Sequence, residues 1–234
     1  MKKCLAIFIG VALSVSASAQ RNQLRIPERA FLQIGGTIGL DYSQFAGTVD
    51  GSFNRNQRVV NKQVNYATLA VGGRFNVFEF SNTFSLALAA QPLLSFGKAF
   101  NDADPGMNMM FRAPFTIDVN IGNAATNRSW AGRGVVLGAG VQWVKYPLAG
   151  DVTIFRGSNS SQTSSDFVNM NSNWWEPVVQ LGIRSQRKHF YSNEVNIRAA
   201  YVKYSSLNLG DANRALRDFE RFSIMLSYLV FLNY

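Results

Sequence analysis

Seven ionisable side chains stand in this chain at positions where they could act together. Each lies within a stretch of alternating apolar and polar residues, and the set holds four acids and three arginines: Asp41, Arg74, Asp118, Glu176, Arg184, Glu194 and Arg198. Carboxylates and guanidinium groups that meet away from water can form ion pairs, or they can carry protons or ions across a membrane. We favour the first interpretation, a closed polar network, because the elements that carry these side chains leave little room for a path.

Catalysis has one candidate residue in this sequence. His189, the only histidine, lies in the basic stretch 186–190, Gln-Arg-Lys-His-Phe. A general base must accept a proton, and neighbouring cations disfavour the imidazolium that forms. We therefore predict no catalytic residue and assign His189 to an exposed turn, with a lipid A-modifying enzyme as the least favoured alternative.

Neither a cofactor nor a metal is expected. Cys4 is the only cysteine, so a cysteine-based zinc site is excluded. Residues 101–106, Asn-Asp-Ala-Asp-Pro-Gly, offer spaced oxygen donors, but they lack the later glutamate of a calcium loop. A proline–glycine turn explains them better.

The first nineteen residues are typical of a secretory signal. Lys2 and Lys3 precede an apolar run over 5–15, and Ala17-Ser18-Ala19 forms a small-residue cleavage site. We expect residues 1–19 to be removed and residues 20–234 to form one barrel domain. The formal charge of +9 falls to +7 when the two lysines leave. Export makes nucleic acid an improbable partner, and the remaining positive charge favours anionic lipid.

The elements that must position the charged residues are strands. From Phe222 to Tyr234 one face carries large apolar side chains and the other carries Ser223, Met225 and Ser227. Similar alternation covers residues 32–42, 67–77, 84–95, 113–122, 135–143, 175–184 and 194–201. Eight such segments, the last ending on an aromatic, predict an all-β fold, an eight-stranded antiparallel up-and-down transmembrane β-barrel. Its interior is just wide enough for side chains to fill.

Connection lengths orient this barrel. The joins over 43–65, 96–111, 145–173 and 205–221 are long, whereas those over 79–83 and 185–193 are short and that over 123–133 is intermediate. Outer-membrane barrels pair long external loops with short periplasmic turns. We therefore expect both termini in the periplasm, with a possible short external helix over Leu209–Glu220.

Cations and aromatic rings mark the predicted ends of the strands. The long joins carry Arg55, Arg58, Lys62, Lys98, Arg112, Lys145, Arg156, Arg214, Arg217 and Arg221. Of these we single out Arg156, Arg214 and Arg217 as contacts to lipopolysaccharide phosphates or to a protein partner, with solvated loops as an equal alternative. Rings that suit the two membrane boundaries are Trp143, Tyr146, Trp174, Trp175 and Tyr201 at the external end, and Phe78, Phe80, Phe190, Tyr191 and Tyr234 at the periplasmic end.

With the signal, the eight strands and the terminal aromatic, the chain resembles the small outer-membrane β-barrel superfamily that includes OmpX-like proteins and the OmpA membrane domain. The resemblance covers Leu32–Tyr234 and implies residence in the outer membrane. Residues 74–80, Arg-Phe-Asn-Val-Phe-Glu-Phe, are also similar to PorT-like barrels, which are associated with protein secretion in Bacteroidetes-type bacteria. The expected function is a non-enzymatic structural component or an accessory subunit of an envelope or secretion complex. A narrow channel for small solutes or ions is the alternative.

Overall fold

The computed structural model describes residues 32–49, 57–99, 107–149 without 124, 127–128 and 130–131, then 152–156, 167–188, 191–209 and 215–233. Eleven strands occupy these ranges: β1 (Leu32–Val49), β2 (Gln57–Ser81), β3 (Phe84–Ala90), β4 (Leu93–Ala99), β5 (Met107–Gly122), β6 (Arg133–Tyr146), β7 (Val152–Arg156), β8 (Phe167–Met170), β9 (Ser172–Lys188), β10 (Tyr191–Asn208) and β11 (Ala215–Asn233).

Nine of these strands form one closed antiparallel sheet. Its order is β1-β11-β10-β9-β6-β5, followed by β3 and β4 end to end, and then β2, which returns to β1. Leu226 of β11 lies opposite Leu40 of β1, so the last strand closes the ring on the first as predicted. Because β3 and β4 share one place between β2 and β5, the ring has eight strand positions. The predicted fold class, an eight-stranded antiparallel barrel, is confirmed.

The third strand position is interrupted where the sequence predicted one strand over 84–95. Gln91 and Pro92 lie between β3 and β4, outside the ladder. Proline has no N–H to donate, so a strand is expected to break there. The carbonyl of Pro92 still accepts a bond from Val71 N at 3.3 Å, and Gln91 N donates to the Pro114 carbonyl at 3.3 Å.

The strands run further than the alternation predicted, and the loops are correspondingly shorter. Val49 still pairs with Gln57, and Asn208 with Ala215. The predicted helix over Leu209–Glu220 is wrong, because β11 begins at Ala215. Asp218, with φ of 49°, lies where the β1–β11 register shifts, at a β-bulge.

That bulge also changes the spacing of the buried residues in this stretch. It places Leu216 and Phe219 on the same inward face three residues apart, and both are fully buried. Residues three apart share a face in a helix, so the spacing of Leu216 and Phe219 resembles a helical period.

The two faces of the sheet are reversed relative to a soluble protein. Ile38, Val71 and Ile183 on the outside are 62–73% exposed, whereas Arg74, Asp118 and Glu194 on the inside are buried. Strands that span lipid show this arrangement of apolar residues outside and polar residues inside. Among the described residues, no helix is long and apolar enough to cross a bilayer.

Two ends of the barrel need names. At the turn end, β2 connects to β3, β5 to β6, and β9 to β10. The loop end is the opposite one, where β1 connects to β2 and where β7 and β8 form a separate two-stranded sheet.

Candidate functional site

The centre of the interior holds four ionised side chains from four strands, which we call the central ion cluster: Arg74, Asp118, Arg184 and Glu194. Arg74 contacts both acids, with Nε 2.7 Å from Asp118 Oδ2 and Nη1 2.9 Å from Glu194 Oε2. Arg184 Nη2 lies 3.0 Å from the same Glu194 oxygen. All four side chains are fully shielded from solvent. Direct pairing of Arg184 with Glu194 in the β9–β10 ladder fixes that contact through the backbone.

Neutral side chains complete the bonds of the two acids. Gln180 Nε2 donates to Asp118 Oδ1 at 2.6 Å, and Asn196 Nδ2 donates to Glu194 Oε1 at 2.8 Å. Each of the four carboxylate oxygens therefore accepts at least one bond. The two acids are thus held by fixed partners on several strands, and the cluster is a set of fixed ion pairs.

Two glycines leave the space that the acids occupy. A Cβ on Gly138 would lie 2.2 Å from Asp118 Oδ1, and one on Gly182 would lie 2.6 Å from Glu194 Oε1. A larger residue at either position would displace a paired carboxylate.

Two further ion pairs lie between the central ion cluster and the loop end. Arg112 Nη2 is 3.0 Å from Asp41 Oδ2, and Arg221 pairs with Glu176. Both arginines were predicted in external loops, and this prediction is wrong, because Arg112 lies in β5 and Arg221 in β11. The alternation itself would have placed both arginines inside the barrel. Arg112 shares the inward face of its strand with Asp118, and Arg221 shares the inward face of its strand with Ser223.

Arg198 crosses the lumen without meeting an acid. Its Nη2 donates to Gln91 Oε1 at 2.7 Å and to Gln180 Oε1 at 2.9 Å. β10 and the β3–β4 position are four apart in the ring of eight, so this bond joins opposite walls of the barrel. The described interior thus contains five buried arginines and four buried acids.

The loop end is closed by an apolar plug rather than by charges. Its buried members are Phe45, Val59, Met110, Val144, Tyr146, Met170, Trp174, Val202, Leu207, Leu209, Leu216 and Phe219. The rings of Phe45 on β1 and Tyr146 on β6, which lie on opposite walls, are 5.8 Å apart. Placing Tyr146 and Trp174 in an outer girdle was wrong, because both side chains point inward, whereas Trp175 and Tyr201 are about half exposed on the outer wall.

The turn end is closed by the connection between β5 and β6. Ala125 is fully buried, and its carbonyl accepts bonds from Asn76 Nδ2 at 2.6 Å and Ser85 Oγ at 2.5 Å. Thr126 Oγ1 donates to the Asn82 carbonyl at 2.6 Å. The sequence predicted only a join of intermediate length here, and its described residues Ala125 and Thr126 lie in the mouth of the barrel. Side chains or backbone therefore bridge the interior at its middle and at both ends.

A groove of about 440 Å³ lies on the outer wall beside the break between β3 and β4. Small residues, Gly73 and Ala90, form its floor, and Phe75, Leu88 and Phe115 stand around it, each 42–52% exposed. Its surface is apolar and faces the side that lipid would cover.

Comparison with known proteins finds no matching family model and no matching curated protein. Solved structures do resemble the chain. Outer membrane protein OprG from Pseudomonas aeruginosa is 13% identical over 87% of this chain and 95% of its own, with a TM-score of 0.42. Neisserial surface protein A is 12% identical over 88% and 100%, with a TM-score of 0.39. The Escherichia coli outer membrane protease OmpT is 10% identical over 89% and 97%, with a TM-score of 0.38.

This chain has the fold of the small eight-stranded outer-membrane β-barrels. Its own ring closure and its apolar outer face carry that assignment, since similarity at these identities and TM-scores does not transfer an activity. The predicted resemblance to this superfamily is confirmed at the level of the fold. The further likeness to PorT-like barrels stays a prediction.

The barrel brings one of the two predicted site sets together. Each of the seven predicted lumen residues is buried in the interior. Of the predicted lipid or partner contacts, Arg156 ends β7, Arg217 is exposed in β11, and Arg214 lies outside the described residues. His189, Tyr234, residues 1–19 and residues 101–106 also lie outside them. Within the described ranges, no three histidine, cysteine or acidic residues are grouped closely enough to hold a metal ion.

Proposed function

We propose that this barrel is a non-enzymatic resident of the outer membrane, either a structural component or an accessory subunit of an envelope complex. It would act through its outer wall and its loop end. The observation that carries the proposal is the bridging of opposite walls, by Arg198 with Gln91 and by Phe45 with Tyr146. With the interior filled, the surfaces that can meet other molecules are the wall, the rims and the loops.

A row of outward lysines at the loop end supports contact with anionic lipid. Lys62 and Lys98 are exposed, and Lys145 is half-buried, with its ammonium bonded to Asn171 Oδ1. Lys203 is exposed one outward position beyond Tyr201, where the apolar face of β10 ends. Outer-leaflet lipopolysaccharide carries phosphates, and each cation near an anionic surface contributes about 1 kcal/mol. The row favours a loop end that faces outward and termini in the periplasm.

Lys203 differs from the other three because an acid accompanies it. Its Nζ lies 2.6 Å from Glu220 Oε1. That hydrogen bond and the negative charge of Glu220 raise the pKa of Lys203, while the same bond and the positive charge of Lys203 lower the pKa of Glu220. The pair leaves Lys62, Lys98 and Lys145 as the better phosphate contacts.

Retention of lipopolysaccharide by the purified barrel tests this contact. Replacing Lys62, Lys98 and Lys145 by glutamine should reduce the lipid that remains bound after detergent washing. Arg133→Gln is the matched control, since Arg133 is an exposed cation at the turn end of β6. Equal retention by the triple variant and the control would count against the lysine row.

Arg156, Arg214 and Arg217 remain proposed contacts for a protein partner or for lipid. Purification from native membranes in mild detergent, with wild type and the triple alanine variant side by side, tests them. Loss of the same associated protein from the variant alone is expected. Unchanged lipid and protein association would remove these three arginines from the proposed site.

A narrow channel is the alternative function, and the surplus of buried arginine over buried acid favours an anion as its cargo.

An enzymatic role is less favoured and would fall to His189. Lipid A composition should be the same in cells that carry wild type and His189→Ala, and a changed composition would overturn the non-enzymatic proposal. Residues 1–19 are proposed as the export signal, which N-terminal sequencing of the membrane form checks.

A further inference from the structure

Arg198 is buried with part of its guanidinium unpaired. The residue is 4% exposed, and its Nη2 serves both Gln91 and Gln180. Its Nε and Nη1 have no acceptor among the described residues. Arginine keeps its charge in proteins, so these two nitrogens remain hydrogen-bond donors that need an acceptor.

Two neighbouring side chains also present donors without acceptors. The Nε2 of Gln91 is one, and it can only donate because the other end of this amide accepts from Arg198. The Nε of Arg112 is the second. Arg112 Nη2 contacts the Met225 sulfur at 3.7 Å, and Met225 lies directly opposite Arg198 in the β10–β11 ladder. Arg198, Gln91 and Arg112 thus bring four unpaired donor nitrogens to one part of the lumen, where Asp41 Oδ1, on the carboxylate that Arg112 contacts, is an unpaired acceptor.

The ion pairs of the described interior leave Arg198 without an acidic partner. Every buried acid of the described interior has an arginine partner: Asp118 and Glu194 with Arg74 and Arg184, Asp41 with Arg112, and Glu176 with Arg221. Arg198 is left over, since it is the buried arginine of the described interior that has no carboxylate in contact with its guanidinium. A buried charge without a counter-charge is strongly destabilising.

We propose that the barrel interior binds one small monovalent anion of the halide class between Arg198, Gln91 and Arg112. One negative charge supplies the counter-charge that no carboxylate in contact gives Arg198, and a spherical acceptor can take bonds from several N–H groups at once. Because Arg198 and Gln91 bridge opposite walls at this height, the space beside them favours a halide over a larger oxyanion. This ion is a fixed counter-ion of the fold, so the inference does not depend on which envelope role the barrel has.

Anomalous diffraction from crystals of the full-length barrel grown in sodium bromide tests the site directly. The expected result is one bromide within hydrogen-bonding distance of Arg198 and Gln91. Density without anomalous signal at that place, in saturating bromide, would assign the unpaired donors to water and overturn the proposal.

Thermal unfolding gives a second readout in solution. Sodium chloride or bromide is compared with sodium gluconate at equal ionic strength, since gluconate is too large for the filled interior. Above the dissociation constant, each tenfold rise in halide should raise the wild-type midpoint by about 3–6 °C. Arg198→Gln should lose this halide-specific rise, whereas Arg133→Gln on the outer wall should keep it.

The same halide dependence in Arg198→Gln as in wild type would overturn the site. If Arg198→Gln does not fold, Gln91→Met replaces it, because this variant removes one donor and keeps the charge of Arg198. A weaker halide response is then expected, and an unchanged response would contradict the part assigned to Gln91.

Discussion

At mid-height the inward positions of the barrel carry charged side chains that meet across the lumen, whereas at the loop end the same inward positions carry aromatic and aliphatic ones. The central ion cluster closes space by specific pairs, such as Arg74 with Glu194. The apolar plug closes it by packing, such as Phe219 against Trp174 with ring centroids 5.3 Å apart. Apolar packing does not require one specific partner residue. A buried ion pair does, because removal of either member leaves the other charge buried and unpaired. The two regions should therefore respond differently to substitution.

The largest effect is expected in the central ion cluster. Glu194→Gln keeps the shape of the side chain but leaves Arg74 and Arg184 without their shared carboxylate. Breaking such a buried pair costs about 3–5 kcal/mol in the free energy of unfolding. Urea unfolding of the barrel in lipid vesicles, followed by tryptophan fluorescence, measures it. An unfolding midpoint equal to that of wild type would contradict the role given to the cluster.

The apolar plug should lose about 3 kcal/mol when Leu216 is replaced by alanine, since a fully buried side chain leaves a cavity. Leu226→Ala is the matched control on the outer wall, where Leu226 is 50% exposed and lipid can fill the space. The control should cost less, because only the transfer free energy is lost. Equal costs in the same unfolding assay would mean that the plug is loosely packed.

A smaller effect, of about 2 kcal/mol, is expected for Gly138→Ala, because the new Cβ would meet Asp118 Oδ1 at 2.2 Å and force this acid to shift. Gly132→Ala is the control, since a Cβ there meets nothing within 4 Å. The urea midpoints of the two variants provide the test. If Gly138→Ala is as stable as the control, the centre of the barrel is less crowded than described.

The smallest effect is expected for the exposed pair Lys203–Glu220. This pair serves as the solvent-exposed reference for the buried pairs of the central ion cluster. Glu220→Gln should leave the urea midpoint unchanged at neutral pH. Lys203 lowers the pKa of Glu220, so any contribution of this pair is present above the ordinary glutamate pKa and is lost as the pH falls through the lowered value. A large drop at neutral pH would show that exposure does not separate this pair from the central ion cluster.

The sequence predicted the number of strand positions and the inward face of each strand well. Each strand appears as one segment of alternating apolar and polar residues, and the alternation shows which residues share a face. It failed where the period changes. The bulge at Asp218 shifted the inward face by one residue, and Pro92 divided a strand whose two halves keep the same pattern.

The strand ends were the weaker part of the site prediction. Alternation continues past the apolar face of each strand, but the outward residues there become polar, so Arg112 and Arg221 were mistaken for loop residues. Which acid pairs with which arginine depends on the order and stagger of the strands around the ring. A single strand's sequence does not contain that order.

Planar-bilayer recording of the purified barrel tests the closed interior most directly. In molar potassium chloride, insertion of wild type should leave the current at the level of a protein-free bilayer, because Arg198 with Gln91 and Phe45 with Tyr146 bridge opposite walls. A stable and reproducible unit conductance would contradict the closed lumen and would make the channel the better proposal.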